Sequence, residues 1–347
     1  MKIVHNIFDQ IISLENLFHA WDIFKVGKRS KADVQEFERN LEDNIFALHK
    51  ELEDKTYIHR GYTSFYITDP KVRHIHKALV RDRVIHHALF NVLYPIFDKT
   101  FISESYSCRI NKGTHKAVDR FQIYSQKVTK NHTKKCFVLK CDIQKFFASI
   151  DHAILKTFIE NKIKDKNVLW LINIIIDSFH SEVGLNKGAP IGNLTSQLFA
   201  NIYLTELDQF IKQNLKIPYY IRYTDDFVIL SESKEFLIKL IPIIEKFLKS
   251  NLKLTLHPNK ISIRPYHQGI DFLGYVLFPH HRTPRTRTRR RIFNKLESNI
   301  ALCKNEKIPI TTLDNSLQSY FGFLKHANSY KLTQKLKNQI WFWLQEK

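Results

Sequence analysis

Residues 219–230 read YYIRYTDDFVIL, in which two runs of aromatic and β-branched side chains flank Thr224, Asp225 and Asp226. Such runs predict two strands, and the polar break between them predicts a tight turn. Two adjacent carboxylates at a turn repel each other, and a divalent cation that prefers oxygen ligands, such as Mg²⁺, removes that cost. A solvated Asp-Asp turn is the alternative, and this stretch alone does not exclude it.

A third carboxylate, Asp142, ends the run CFVLKCD at residues 136–142, which predicts a buried strand. If this strand is a neighbour of the strands within residues 219–230, Asp142 lies beside Asp225 and Asp226. Phosphoryl transfer uses two metal ions about 4 Å apart to hold the attacking and leaving oxygens. The three carboxylates are therefore candidates for a two-magnesium site.

Composition and charge favour a folded protein with a polyanionic partner. The 347 residues suit two or three subdomains, and 44% hydrophobic residues are enough for a packed core. Lys and Arg number 54 against 34 Asp and Glu, a formal net charge of +20. Each cation that faces a phosphate releases a condensed counterion, which favours nucleic acid. A basic surface without such a partner is the alternative.

The cysteines and the first residues predict a soluble protein of the cytoplasm with no membrane contact. The four cysteines form no C-x-x-C pair and no zinc-like cluster, which fits a reducing compartment. Asp9 and Glu15 interrupt the region where a signal peptide needs an apolar run. The longest apolar stretch, residues 168–176, is too short to span a bilayer.

The order of predicted elements indicates an α+β fold with an antiparallel sheet covered by helices on one face. An apolar helix face recurs within residues 1–55, at Val34, Phe37, Leu41, Ile45, Leu48 and Leu52. Further helices are predicted at residues 71–130, from about residue 152 onward, at 196–215, at 236–252 and in the C-terminal part. Pro242 would kink the helix at 236–252 or limit where it begins. The predicted strands lie within residues 57–70, 136–142, 219–230 and 270–278.

Several motifs together resemble those of reverse transcriptases, in the order and spacing of that family. They are DIQKFFASIDH at 142–152, YTDD at 223–226, DFLGY at 271–275, the fingers-like KVRHIHKALVRDRVIHHAL at 71–89 and the thumb-like SYFGFLKHANSYKL at 319–332. The resemblance covers residues 57–347. It implies a right-hand polymerase fold with an N-terminal helical extension (1–56), fingers (57–135), palm (136–280) and thumb (281–347).

The resemblance implies an RNA-directed DNA polymerase that uses two Mg²⁺ ions, with Mn²⁺ as a substitute. Asp142 and Asp225 would bind both ions, Asp226 would complete the acidic site, and the backbone carbonyl of Ile143 would be a further ligand. Phe147 would be the steric gate that excludes a ribose 2′-OH. Lys260 is either a proton donor to the leaving pyrophosphate or a surface lysine.

Further positions take their expected roles from the same resemblance. Lys71 and Arg73 would meet the incoming triphosphate, and Arg83 either joins them or lies on a solvated basic helix face. Phe272, Leu273, Gly274 and Tyr275 would support the primer end. The residues expected to bind the nucleic-acid backbone are Arg282, Arg285, Arg287, Arg289, Arg290 and Arg291.

The segment KGAPIGNLTSQ at residues 187–197 departs from the usual reverse-transcriptase pattern QGxxxSP. Ile191 replaces the Gln and Gln197 replaces the Pro, and this pattern resembles the reverse transcriptases of diversity-generating retroelements. Ile191, Gly192 and Gln197 are therefore expected to form part of the nucleotide pocket. Loss of an amide removes about 1 kcal/mol of discrimination between nucleotides, which implies error-prone copying. Simple packing of Ile191, with Gly192 needed for backbone shape, is the alternative.

The implied partners are a template RNA, a cDNA or primer strand, dNTPs and a small basic accessory protein. No RNase H, endonuclease, protease or integrase segment is expected within the 347 residues, so partners would process the cDNA. Two other functions stay open at this point. One is a retron or abortive-infection reverse transcriptase in phage defence. The other is a group II intron-like, RNA-binding polymerase that acts in splicing or has a structural role.

Overall fold

The computed structural model describes residues 3–69 and 71–345, without the side chain of Leu344. Five residues of the predicted elements lie outside the described residues. They are Pro70 at the end of the predicted first hairpin, Met1 and Lys2 at the start of the predicted extension, and Glu346 and Lys347 at the end of the predicted thumb. The chain divides into two compact units. Unit 1 comprises Met1–Asn111, Cys141–Phe227 and Leu240–Ile261, and unit 2 comprises Lys112–Lys140, Val228–Lys239 and Ser262–Lys347.

Unit 1 begins with four helices: α1 (Phe8–Ile12), α2 (Leu14–Lys25), α3 (Ala32–Arg39) and α4 (Leu41–Glu53). The predicted apolar face matches the structure, because five of its six members are buried and Leu41 is partly exposed. The face is divided between α3 and α4, since Asn40 leaves the helical region with φ −119° and ψ 44°. Trp21 and Phe24 of α2 are also buried, and the Phe24 ring packs against His87, which lies in the helix at residues 80–98.

The first hairpin is longer than predicted. Strand β1 (Tyr62–Ile67) pairs antiparallel with β2 (Arg73–Ala78), so the helix predicted from residue 71 is wrong for this segment. The physical reason is a tertiary one. The backbone N–H of His76 donates to Ile191 O at 2.9 Å, and that of Ala78 donates to Asn193 Oδ1 at 3.2 Å. These partners hold β2 extended until α5 (Val80–Asp98) begins.

The central part of the chain follows the predicted order, with two helices that were not predicted, at residues 146–149 and 166–177. It runs through α6 (Thr114–Val128), β3 (Phe137–Asp142), the short α7 (Phe146–Ser149), α8 (His152–Glu160), α9 (Lys166–Asp177) and α10 (Leu194–Gln209). The last of these continues as a π-helical turn over Phe210–Asn214. No helix among the described residues is long and apolar enough to cross a membrane.

The strands around the carboxylates belong to one four-stranded sheet. Strands β4 (Tyr220–Tyr223) and β5 (Asp226–Ser231) precede α11 (Lys234–Leu252) and β6 (Ser262–Pro265), and the sheet order is β4-β5-β3-β6. Strand β3 pairs antiparallel with β6, with Phe137 opposite Pro265. Pro242 lies in the middle of α11, so it does not limit where that helix begins. The prediction of an α+β fold is confirmed.

Unit 2 contains a second sheet and the C-terminal helices. Strands β7 (Ile270–Phe272), β8 (Tyr275–Leu277) and β9 (Arg282–Pro284) form a three-stranded sheet in that order. Helices α12 (Thr286–Lys304), α13 (Ile310–Lys325) and α14 (Tyr330–Gln345) follow. They share a buried apolar cluster of Ile292, Leu296, Ile300, Leu313, Leu324, Leu336 and Ile340.

Candidate active site

The three predicted carboxylates come together within unit 1. Asp142 ends β3, Asp226 begins β5, and Asp225 lies in the turn between β4 and β5. The backbone N–H of Ile143 donates to Asp225 O at 3.3 Å, which joins the end of β3 to this turn. The strand pattern of the sequence could predict each carboxylate's position on its strand, and the sheet order then brings them together.

The electrostatics of Asp225 show how closely the three acids interact. The pKa of Asp225 is raised to about 6, first by burial and then by the negative charges of Asp142 and Asp226. Lys260 offsets part of this effect. A buried carboxylate that is repelled by two others is stabilised by a cation, so the chemistry of this donor set fits a divalent metal ion.

The positively charged side chain of Lys260 pairs with one of the three carboxylates, Asp142. Its Nζ lies 2.7 Å from Asp142 Oδ1, and 42% of the lysine side chain is exposed against 12% of the aspartate side chain. The backbone N–H of His257 donates to Asp142 O at 2.8 Å, which fixes the end of β3 from the same segment. Within residues 3–69 and 71–345, no group of three His, Cys, Asp or Glu side chains is arranged as a ready metal site. Lys260 occupies an Asp142 oxygen that such a site would use.

Arg222 is a neighbour of this site that the sequence reasoning did not single out. It lies in β4 and is fully buried, with both carboxylate oxygens of Asp208 as partners. Its guanidinium also reaches the carbonyl of Thr224, the residue before Asp225. The available signal was a charged side chain within the apolar run YYIRY, because an arginine at a buried strand position needs a partner.

Phe147 lies close in sequence to Asp142 but has a different environment from Phe146. Lys145 takes a left-handed conformation with φ 44°, after which α7 begins. Phe146 is buried at 2% exposure, whereas Phe147 is partly exposed, with its carbonyl accepting from the Ala189 N–H at 2.8 Å. The structure therefore places Phe146 in the core and leaves Phe147 partly exposed.

The loop that carries Ile191 and Gly192 is joined to the first hairpin. Besides the bond from His76 to Ile191 O, Asn193 Nδ2 donates to His76 O at 2.9 Å. Gly192 has φ +124°, and a Cβ there would lie 2.9 Å from Ile75 Cγ2, so a side chain is excluded. Ile191 is partly exposed and Gln197 is exposed on α10.

The predicted triphosphate contacts lie at one end of the hairpin, with one exception. Lys71 precedes β2 and Arg73 begins it, and both are exposed. Arg83 instead donates to Asp33 Oδ2 at 2.8 Å, and its guanidinium lies 4.7 Å from the centre of the Phe24 ring. Its surroundings are therefore the N-terminal helices.

The predicted primer-support residues lie in unit 2 and divide by burial. Phe272 and Tyr275 are buried, and the Tyr275 ring stacks on Phe323 with ring centres 4.6 Å apart. Leu273 and Gly274 form the turn between β7 and β8, with φ 49° and 92°. Two positive φ values in a two-residue hairpin turn match the right-handed twist of the strands.

The six predicted nucleic-acid-binding arginines also divide by environment. Arg282 donates to Asp119 Oδ1 at 2.6 Å, and Arg285 forms an ion pair with Asp271. Arg287, Arg289 and Arg290 are exposed on the first turns of α12, and Arg291 is partly exposed. The exposed members concentrate positive charge at the end of α12 that already carries the positive end of the helix dipole.

Comparison with known proteins connects this site to a family. The family model "Reverse transcriptase (RNA-dependent DNA polymerase)" matches residues 68–277, a range that contains all three carboxylates. Protein YkfC of Escherichia coli (strain K12) is 26% identical over 255 residues, which is 63% of this chain and 65% of YkfC. The group II intron-encoded protein LtrA of Lactococcus lactis subsp. cremoris is 28% identical over 179 residues, which is 50% of this chain and 29% of LtrA.

A solved structure supports the fold. Telomerase from Candida albicans, in complex with the TWJ fragment of telomeric RNA, aligns with a TM-score of 0.50 at 12% identity. The alignment covers 70% of this chain and 49% of the telomerase chain. At this identity the likeness concerns the fold alone, and the predicted right-hand polymerase fold is confirmed.

Proposed function

The chain belongs to the reverse transcriptase family, and on that basis we propose that it is an RNA-directed DNA polymerase. It would copy a template RNA into cDNA by nucleotidyl transfer from dNTPs to a primer strand. The observation that carries this proposal is the meeting of Asp142, Asp225 and Asp226, with the pKa of Asp225 raised first by burial and then by the negative charges of the other two. A protein that only binds RNA has no use for paired carboxylates that face phosphates.

The carboxylates would hold two Mg²⁺ ions, with the Ile143 carbonyl as a further ligand and Mn²⁺ as a substitute. The chemistry that the ions would supply there is charge neutralisation on the phosphates and activation of the primer hydroxyl. Lys260 balances the charge of Asp142 in the structure, so its ammonium would compete with a bound cation for that oxygen. Its 42% exposure gives the ammonium room to move.

The nucleotide would be received by side chains on three segments of unit 1. Lys71 and Arg73, exposed near the start of β2, would neutralise the triphosphate. Phe147, which is partly exposed, would fill the space that a ribose 2′-OH needs. Ile191 and Gly192 would line the pocket, because their loop is hydrogen-bonded to the same hairpin at His76.

The test of the polymerase assignment is to replace the carboxylates with amides. Asp142→Asn and Asp225→Asn should each abolish Mg²⁺-dependent cDNA synthesis while thermal unfolding and RNA binding stay near wild type, because two-metal chemistry needs both carboxylates. Asp177→Asn is the matched control, since Asp177 is an exposed partner of Lys156 in the same unit. Synthesis retained in either site variant would refute the metal assignment.

The finer proposal is that this polymerase is error-prone and acts within a diversity-generating retroelement, with a small basic accessory protein as partner. Its support is the pattern Ile191-Gly192 with Gln197, in which an apolar side chain stands where an amide is usual. The direct test is to sequence cDNA that the protein makes on one defined RNA. Errors concentrated opposite template adenines would support the proposal, and accurate copying at adenines would refute it.

A second candidate function is favoured by the similarity to LtrA, which is encoded by a group II intron. A group II intron-like polymerase would bind a structured intron RNA and copy it. Such a polymerase is expected to copy adenines as faithfully as other bases, so the same cDNA sequencing separates the two candidates. Tight and selective binding of a structured intron RNA would favour this second one.

A further inference from the structure

The turn that carries Asp225 contains a residue in an unfavourable backbone conformation. Thr224 has φ +55°, in the left-handed region that a β-branched side chain rarely adopts. A residue in that region persists only where its surroundings hold it there. Because Asp225 and Asp226 follow directly, the conformation of Thr224 sets the direction in which both carboxylates leave the turn.

Two hydrogen bonds hold Thr224 in place. Its carbonyl accepts from Arg222 Nη1 at 3.1 Å, and its hydroxyl donates to Ser107 Oγ at 2.6 Å. Ser107 is fixed in turn, because its carbonyl accepts from Asn201 Nδ2 at 3.0 Å. The turn is therefore bound on both its backbone and its side chain to groups that are themselves anchored.

Arg222 is held by a buried carboxylate behind the turn. Its Nε and Nη2 donate to the two oxygens of Asp208 at 2.7 and 2.6 Å, and both side chains are fully buried. Tyr220 donates its hydroxyl to Asp208 Oδ1 at 2.7 Å. The backbone of Arg222 is fixed as well, since its N–H donates to Glu104 O and its carbonyl accepts from the Tyr106 N–H, each at 3.0 Å.

A buried ion pair of this kind contributes little to stability by itself. Desolvation of both charges offsets their attraction, so well-packed apolar residues often serve the fold equally well. What apolar residues cannot provide is a donor at the Thr224 carbonyl. The fork of the guanidinium supplies one, because Nε and Nη2 bind Asp208 while Nη1 donates to the Thr224 carbonyl at 3.1 Å and to Asn201 Oδ1 at 3.3 Å.

We infer that Arg222, oriented by Asp208, is a positioning residue that presets the left-handed turn at Thr224. In doing so it fixes Asp225 and Asp226 relative to Asp142 before a divalent cation binds. The inference rests on the proposed metal-dependent function for the identity of the ligand. The conformation of the turn does not depend on that function, because it is observed in the described residues.

The test measures Mn²⁺ binding directly by calorimetry, with the metal alone and no nucleotide. Arg222→Lys keeps the charge beside Asp208, but its single nitrogen lacks the planar fork that spans the carboxylate and the Thr224 carbonyl at the same time. Saturable Mn²⁺ binding that Asp142→Asn abolishes should weaken about tenfold or more in Arg222→Lys, which corresponds to about 1.4 kcal/mol. Arg81→Lys is the control, since Arg81 is an ion-paired arginine beside Glu51 in the same unit.

A second variant separates positioning from a merely structural role. Thr224→Asn introduces a residue that adopts the left-handed region more readily. Combined with Arg222→Lys, it should restore much of the lost Mn²⁺ affinity, because the turn then needs less support. The inference is overturned if Arg222→Lys loses the same Mn²⁺ affinity with and without Thr224→Asn. It is also overturned if Arg222→Lys binds Mn²⁺ as tightly as the wild type.

A milder change keeps the inference testable if Arg222→Lys does not fold. Ser107→Ala removes only the hydroxyl beside Thr224, and a severalfold loss of Mn²⁺ affinity with unchanged thermal unfolding is expected. Unchanged affinity in a folded Ser107→Ala variant would count against preset turn geometry. Absence of the Asp142-dependent binding in the wild type would refute the proposed metal site instead, so the two failures are distinct.

Discussion

At the scale of single residues, the candidate site combines groups that are costly when the cation is absent. Burial and two neighbouring charges raise the pKa of Asp225 to about 6, and Lys260 lies on Asp142. A divalent ion at the proposed site would relieve or displace each of these features, since it would add positive charge beside the carboxylates.

Phe147 gives a prediction about sugar selection. Phe147→Ala should admit ribonucleotides, because removal of the ring opens the space that a 2′-OH needs while the carboxylates stay in place. Incorporation of matched ribo- and deoxynucleotides measures the effect. Phe146→Leu is a control for packing, since Phe146 is buried beside it. An unchanged sugar preference in Phe147→Ala would mean that Phe147 only packs.

Ile191 gives a prediction about fidelity. Ile191→Gln should make copying more accurate, with the largest change opposite template adenines, because the amide adds a hydrogen bond that only a correct pair is placed to accept. A gain of about 1.4 kcal/mol in discrimination lowers errors tenfold. Sequencing cDNA from both proteins on one RNA measures it. If the wild type and Ile191→Gln make equal errors opposite adenines, any infidelity arises from Gln197 or from a partner.

At the scale of elements, the first hairpin and the loop at residues 191–193 act as one structural piece. Strand β2 has β1 on one edge, and His76 and Ala78 are also bonded to that loop. Gly192 is needed for this contact, because a Cβ would meet Ile75. A change in the loop therefore also changes the hairpin that carries Lys71 and Arg73.

Helix α12 gives a prediction about nucleic-acid binding. Neutralising Arg287, Arg289 and Arg290 to Gln should reduce the slope of log affinity against log salt by up to about three, one for each lost phosphate contact. Binding should weaken by a similar factor for different sequences, because backbone contacts do not read bases. Filter binding over a range of salt concentrations tests this. Lower affinity with an unchanged slope would indicate misfolding instead.

At the scale of the whole molecule, charge and burial make stability depend on pH. The pKa of His87 is lowered to about 4, first by burial and then by the positive charges of Lys28 and Arg83. Burial also holds the pKa of His86 well below its usual range. Both histidines lie in α5, between the N-terminal helices and the rest of unit 1, so they are neutral in the folded protein near neutral pH.

The sign of the pH effect follows from these lowered pKa values. Below about pH 6.5 the unfolded chain takes up protons that the folded protein refuses, so the free energy of unfolding falls as pH falls. Each such histidine contributes up to about 1.4 kcal/mol per pH unit until its folded pKa is reached. His87→Gln should flatten the dependence between about pH 6.5 and 4 by nearly one proton. The free energy of unfolding is measured with urea at each pH. If it depends on pH as steeply in His87→Gln as in the wild type, His87 is protonated in the folded protein.

The amino-acid sequence by itself determined the strands that carry Asp142 and the Asp225–Asp226 pair, the apolar face of the N-terminal helices and the family. These features depend on local periodicity and on motifs that are contiguous in the chain. It did not determine the extended form of β2, whose backbone partners lie more than a hundred residues away at Ile191 and Asn193. Local propensity there favoured a helix, and long-range hydrogen bonds decided otherwise.

The tertiary structure alone decided which charged residues serve the site. From the sequence, Lys260 is either a proton donor or a surface lysine, and Arg222 is a charge within an apolar run. In the structure, Lys260 pairs with Asp142 and Arg222 donates to the Thr224 carbonyl. Arg83, a candidate for the triphosphate, is bound to Asp33 instead. The reason is that a charge acts over a few ångströms in space, and only the packing of distant segments brings its partner within that range.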